Sequence, residues 1–229
     1  MSGVRSRKSS NLADALANPA GVVRLSLVGI PISALPEDIG TLRDLEILTI
    51  NGAALHRLPD ALFDLPSLRV LNLFDNALTA LPPGITRLSR LETLNLGVNR
   101  LAGTLPDLSG CSHLRELNLA NNPELDFTSV WDAVSRLPGL ERLSLYQNPI
   151  ETVPESIGQL PNLRELQLFA CCLHRMPAAL VKLNQLEVLD LRANQLTEFP
   201  FSRLTFPKLR RLDLSYNPLS DVTPSQPTP

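Results

Sequence analysis

The sequence predicts an α/β solenoid: a curved parallel sheet of about nine strands, with a convex side of mostly 3-10 or irregular segments and one longer helix. Three observations predict it. Leucine recurs as L-x-x-[LI]-x-[LI]-x-x-x-x-L in segments that begin at Leu45, Leu68, Leu91, Leu114, Leu140, Leu163, Leu186 and Leu209, after a divergent first copy at Val22. The period is 23 residues, with one 26-residue step from Leu114 to Leu140. Aromatics make up only 4% of the 229 residues while 20 are proline, an unusual balance for a single globular core but an ordinary one for a repeat.

Each element follows from that register. In L-x-x-L-x-L the alternate leucines point inward and the residues between them face out, as on a strand. No single copy can bury its leucines, but stacked copies can. The ninth position holds Asn76, Asn99, Asn122, Asn148, Asn194 and Asn217; Ile30, Ala53 and Cys171 fill it elsewhere. A carboxamide carries donors and an acceptor, so it can satisfy backbone groups where the chain leaves the strand. The "LPxxIxxL" continuation, as in "LPEDIGTL" and "VPESIGQL", suits a short 3-10 segment opened by proline. In the longer copy, "ELDFTSVWDAVSRLPGL" has helical spacing and predicts a helix over 129–137, capped by Thr128 or Ser129. "SNLADALANP" predicts a short helix, capped by Ser10 or Asn11, that shields the first copy. The chain thus divides into an unstructured start with a capping helix at 1–21, a repeat domain at 22–222, and an unstructured tail at 223–229. The C-terminal end shows no comparable cap, which invites a partner, a dimer through that edge, or a further domain.

Composition excludes several functions. The net charge of −2 provides no basic footprint for nucleic acid. No stretch approaches the ~20 apolar residues of a membrane span. The start carries positive charge without an apolar segment behind it, unlike a secretory leader. Three cysteines form no paired framework, so a reducing compartment is expected. No phosphate-cradling loop or nucleophile elbow is present, no cofactor is implied, and the chain is expected not to be an enzyme. "ACCLHRMP" brings Cys171, Cys172 and His174 close in sequence, but the register points Cys171 inward and the other two outward. Metal ligands must converge, so a structural reading is preferred. Cys111, just ahead of a strand, is expected to be partly buried.

The outward positions carry the candidate site. The fifth position is polar throughout, including Asn72, Asn95, Asn118, Asp190 and Asp213. The seventh holds Phe74, Tyr146, Phe169 and Arg192, and Tyr216 follows at the eighth position of the last copy. Aromatics and arginine on a face without core duty are frequent binding anchors. The second position alternates in sign from Glu46 through Arg210, which reads as a register-fixing surface ladder.

These copies resemble the leucine-rich-repeat family, of the 23-residue "LPxxIxxLxxL" type, from Val22 to about Val222. The resemblance implies a recognition module that binds a protein partner on its concave face. This type is similar to intracellular scaffolds, including Ras-binding ones, and to repeats of bacterial proteins; "LAGTLPDLSGCSHL" is similar to the plant receptor type. The Ser- and Arg-containing start resembles those of bacterial effectors, which implies a plant-pathogen effector, cytoplasmic or injected into a host cell. The alternative is the substrate-recognition part of a larger enzyme such as a ubiquitin ligase.

Overall fold

The computed structural model describes residues 7–200 and 206–220. The tail at 223–229 and residues 1–6 of the start, both expected to be unstructured, lie outside these. The described residues form strand β1 (Arg7–Ser9), helix α1 (Leu12–Ala17), then β2 (Val22–Val28), β3 (Ile47–Asn51), β4 (Val70–Asn72), β5 (Thr93–Asn95), β6 (Ala102–Gly103), β7 (Glu116–Asn118) and β8 (Glu124–Leu125). Helix α2 (Phe127–Ser135) follows, then β9 (Arg142–Ser144), β10 (Glu165–Gln167), β11 (Val188–Asp190) and β12 (Arg211–Asp213). Ten strands make one parallel sheet whose order follows the chain, and β6 pairs with β8 apart from it. From β2 to β12 the register is unbroken, with Leu25, Leu48, Leu71, Leu94, Leu117, Leu143, Leu166, Leu189 and Leu212 side by side.

The tenth strand is a correction. Arg7–Ser9, expected to lack structure, pairs in parallel with β2 through a shifted register. Its polar "RKS" gives no alternation to read, and a polar edge strand blunts the sheet end against further pairing. α1 stands beside it, with Asn11 accepting from the Asp14 amide at 3.0 Å and Ala15 buried.

Among the described residues the convex side carries five 3-10 helices, at Glu37–Thr41, Asp60–Asp64, Pro83–Arg87, Glu155–Gln159 and Ala178–Lys182, each entered through a proline. α2 begins two residues earlier than expected. Asp126 is its cap, accepting from the Thr128 amide at 2.9 Å, while Ser129 accepts from the Leu105 amide at 2.9 Å and donates to the Asp126 carbonyl. Ser129 therefore ties the helix to the preceding copy. Trp131 is packed in the core.

Each ninth-position asparagine joins two copies. Asn122, fully buried, donates to the carbonyls of Leu96 and Leu119 and accepts from the Leu101 amide at 3.1 Å. At Ala53 and Cys171, where asparagine is missing, the backbone takes its place. After Asn76, Asn99 and Asn194 the peptide unit turns its N–H toward the preceding copy, Ala77 to Leu55, Arg100 to Leu78 and Gln195 to Leu173; after the other three asparagines the next residue is proline, which has no N–H. After Ala53 and Cys171 the same unit is flipped. Its carbonyl accepts from Ile32 (3.0 Å) and from Ile150 (3.2 Å), the amides an asparagine oxygen would otherwise take. The flip requires φ > 0 at the next residue, and Ala54 (φ 58°) and Cys172 (φ 56°) are left-handed. Both copies also gain a backbone bridge to the copy before, Ala34 to Arg57 and Thr152 to Arg175.

The eighth position is left-handed in all nine copies, from Gly29 and Gly52 through Asp75, Val98, Asn121, Gln147, Ala170 and Ala193 to Tyr216. At the sheet's last described strand, Leu209, Leu212 and Leu214 are only half-buried, whereas Leu186, Leu189 and Leu191 beside them are fully buried.

Candidate functional site

The concave face is set by the outward residues of the sheet, and the structure sorts the expected site residues into three groups. The first is the fifth-position row. Asn72, Asn95 and Asn118 turn their side-chain oxygens onto the amides two residues on, Phe74 (3.1 Å), Gly97 (3.1 Å) and Ala120 (2.9 Å). Such a bond closes the strand end locally, so each oxygen has a structural duty and the amino group is what remains for a ligand. Asp190 and Asp213 repeat the bond onto Arg192 and Ser215.

The second group is a cluster at the C-terminal end. Arg192 grips Asp190 through two hydrogen bonds (2.9 and 2.6 Å), approaches Asp213 at 3.5 Å, and lies 5.2 Å from the Phe169 ring centroid. Asp190 is 9% exposed and Tyr216 is 84% exposed. The Asp190 carboxylate, first by hydrogen bond and then by charge, raises the Arg192 pKa further, and Asp213 adds to it. The Ser215 hydroxyl, more than any other group, holds Asp213 below the usual carboxylate value. Arg192 is thereby neutralised within the protein. It offers a partner a flat, fixed surface stacked on Phe169 more than an open charge.

The third group is a hollow of about 320 Å³ in mid-sheet, lined by Tyr146, Asn95, Asn118 and by Glu116, Arg142 and Glu165. The last three are third-position residues that the sequence reading passed over. The signal was present: that position reads Arg24, Ile47, Val70, Thr93, Glu116, Arg142, Glu165, Val188, Arg211, with its one run of three successive charges at mid-chain. Phe74 stands apart from this group, because the two seventh positions between it and Tyr146 are Gly97 and Ala120. At ~4.8 Å per strand the two aromatics are three strand spacings apart, with two strands between them. The expected anchors therefore form a continuous run from Tyr146 through Phe169 to Arg192, with Phe74 as an outlying wall.

Along the sheet's rim the second-position charges form ion pairs. Arg69 meets Glu92, and Arg115, Glu141, Arg164, Glu187 and Arg210 make an unbroken series. All are solvated, which limits each to about 0–1 kcal/mol.

The cysteines diverge. Cys171 is buried and donates its thiol to the Leu145 carbonyl at 3.2 Å, and burial pushes its pKa up to about 12. Cys172 and His174 are exposed. Cys111, expected to be partly buried, is fully enclosed and donates to the Ile85 carbonyl, and its burial raises the thiol to about 11. It lies on the inner side of the turn before β7, where the residue packs as a small apolar group. No helix among the described residues is long and apolar enough to cross a membrane.

A parallel sheet in chain order, one strand per copy and held by an asparagine ladder, defines a solenoid repeat protein. A family model described as a leucine-rich repeat region matches residues 22–119, one for two leucine-rich repeat copies matches 184–227, and one for a single leucine-rich repeat matches 139–160. The chain belongs to the leucine-rich-repeat family. No curated protein matches it in sequence.

Among solved structures, a leucine-rich-repeat protein of Leptospira interrogans is 31% identical, with a TM-score of 0.67 over 93% of this chain and 65% of its own. The ectodomain of the Arabidopsis thaliana receptor kinase GASSHO1/SCHENGEN3, in complex with Casparian strip integrity factor 2, is 30% identical, with a TM-score of 0.73 over 86% of this chain and 24% of its own. The ectodomain of the Arabidopsis receptor kinase HAESA, in complex with an extended IDA peptide hormone, is 25% identical, with a TM-score of 0.73 over 93% of this chain and 37% of its own. The chain thus spans less than two thirds of the length of each of these three.

Proposed function

We propose that this protein is a non-catalytic recognition module that holds a protein or peptide partner across its concave face. The observation that carries this reading is the run Tyr146–Phe169–Arg192. Two half-buried aromatics and an arginine fixed by Asp190 lie on three successive strands of a face that has no core to build. Pre-set aromatic and arginine surfaces lose little freedom on binding, which makes them efficient anchors. The complexes of the two plant ectodomains, one with Casparian strip integrity factor 2 and one with a peptide hormone, support the same use of the fold.

The test is affinity capture with mass spectrometry. Wild type is compared with Phe74→Ala/Tyr146→Ala/Phe169→Ala, after confirming that the variant melts within a few degrees of wild type. A partner recovered by wild type and lost by the variant supports the concave reading, and equal recovery by both overturns it.

The finer reading is an effector acting in a host cell, supported by the character of the start and by the likeness to a bacterial repeat protein. The alternative is the recognition part of a larger enzyme such as a ubiquitin ligase, or a dimer through the last strand. The half-buried Leu209, Leu212 and Leu214 support both. A host protein captured by wild type favours the effector. Self-association that Leu212→Asp abolishes favours the dimer, and ubiquitin transfer by the full-length gene product favours the ligase.

A further inference from the structure

The mid-sheet hollow has a composition that names the chemistry of what enters it. Its charged lining is two carboxylates and one guanidinium: Glu116, Glu165 and Arg142. Arg142 is already bound to Glu116. Glu165 has no cation within ion-pairing distance among the described residues. It is held in place instead: the Ser144 hydroxyl donates to the Gln167 side-chain oxygen at 2.9 Å, and the Gln167 amide donates to Glu165 at 2.5 Å. A chain of donors thus ends on a fixed carboxylate that Arg142, its neighbour on the adjacent strand, faces only from beyond ion-pairing distance. Positioning a charge beforehand removes an ordering cost from the binding step.

The surroundings favour a cation with a stem. Tyr146 lines the same hollow and presents a π-system, which attracts ammonium and guanidinium groups. Gly97 and Ala120, at the seventh positions of the two preceding strands, are buried and put no large side chain beside Tyr146; the Asn118 carboxamide lies over Gly97, where an added Cβ would meet it at 3.0 Å. Asn95 and Asn118 have committed their oxygens to Gly97 and Ala120. Their amino groups are the free ends, and donors of that kind suit the backbone carbonyls of a peptide.

On the footing of concave-face recognition, we infer that the hollow receives one basic side chain, lysine or arginine, from an extended segment of the partner. Its charge sits on Glu165, its stem lies against Tyr146, and the flanking carbonyls meet Asn95 and Asn118. Arg142, neutralised by Glu116, sets the limit at a single cation, since a second would find no unpaired carboxylate.

The test is selection of displayed random dodecapeptides on the whole protein. The selected peptides are then synthesised and titrated against wild type, Glu165→Gln, and Phe74→Ala/Tyr146→Ala/Phe169→Ala. Glu165→Gln keeps the acceptor for Gln167 and removes only the charge. Support is a recurrent Lys or Arg in peptides that need the concave aromatics, with binding at least ~10-fold weaker on Glu165→Gln and on replacing the basic residue by norleucine. Peptides that need the aromatics but bind Glu165→Gln equally overturn this inference and leave concave recognition standing. If no selected peptide needs the aromatics, both fall.

Discussion

Asn122 and Cys171 stand where a strand ends and an amide of the preceding copy must find an acceptor. Asn122 provides one with a side chain that is fully buried and joined to carbonyls of two copies. At Cys171 a peptide unit has flipped, so that a backbone carbonyl takes the Ile150 amide and the thiol donates weakly to the Leu145 and Phe169 carbonyls. Ala53, with no polar side chain at all, adopts the same flip toward Ile32. The ladder is therefore a requirement for hydrogen bonds rather than for asparagine. What Ala53 and Cys171 need in place of asparagine is a next residue able to stand in the left-handed region, as Ala54 and Cys172 do.

The largest way to break this comparison is to truncate both sites. Asn122→Ala leaves the Leu101 amide without an acceptor in a dry interior, while the Leu96 and Leu119 carbonyls keep Asn99 and Asn148, and is expected to cost about 2 kcal/mol. Cys171→Ala removes only weak thiol contacts, to the Leu145 and Phe169 carbonyls, and is expected to cost about 1 kcal/mol, because the Ile150 amide keeps its backbone acceptor. Urea unfolding at matched slopes measures both, and equal losses would show that the flipped peptide is no substitute.

Smaller effects test the left-handed positions. Val98 is a β-branched residue at φ 56°, where its neighbours in the column include glycine, aspartate and asparagine. Val98→Asn is expected to stabilise by about 1 kcal/mol, read as a rise in Tm. Cys172→Gly eases the flipped turn and is expected to gain about 0.5 kcal/mol, less because glycine also loosens the unfolded chain. The same turn exposes Cys172, so brief treatment of the native protein with iodoacetamide should label it while the buried Cys111 and Cys171 stay unmodified, as peptide mass mapping would show.

The smallest effect concerns pH. The folded pKa of Asp213 is depressed, chiefly by the Ser215 hydroxyl, so its contribution is present above the unfolded carboxylate value of 3.8 and is lost as pH falls through the lower folded value. Chemical-shift titration of Asp213 should show no change from neutrality down to the carboxylate range. A midpoint above 3.8 would remove this contribution.

Most of the fold was legible because a repeat states each rule many times. Leucine at the fourth position of every copy fixes the sheet register, and six asparagines declare the ladder. What escaped was stated once or carried by the backbone. "RKS" has no apolar alternation, so β1 was invisible. Asp126, Thr128 and Ser129 all suit a helix cap, and only the bond from Ser129 to Leu105 in the copy before decides among them. The flip at Ala53 and Cys171 is a choice of backbone angle. Its trace in the sequence is indirect: both copies carry histidine at the same later position, His56 and His174, whose amides donate to Ser33 and Glu151. The candidate site was half legible. Aromatics in the seventh column stand out by type, whereas Glu116, Arg142 and Glu165 look like ordinary surface charge until the sheet places them around one hollow.

The 26-residue copy adds its three extra residues without disturbing the sheet: β7 and β9 stay in register as Glu116–Arg142, Leu117–Leu143 and Asn118–Ser144. The surplus therefore goes wholly to the outside, where α2 stands in place of a 3-10 turn. In masonry terms it is a broad keystone set among narrow ones. An α-helix takes up more width than a 3-10 turn, and an arch turns hardest where its outer stones are widest. The hollow lies on the inner side of that same stone, so altering the breadth of α2 is a way to open or narrow the grip from behind, with no change to any residue that a partner would touch.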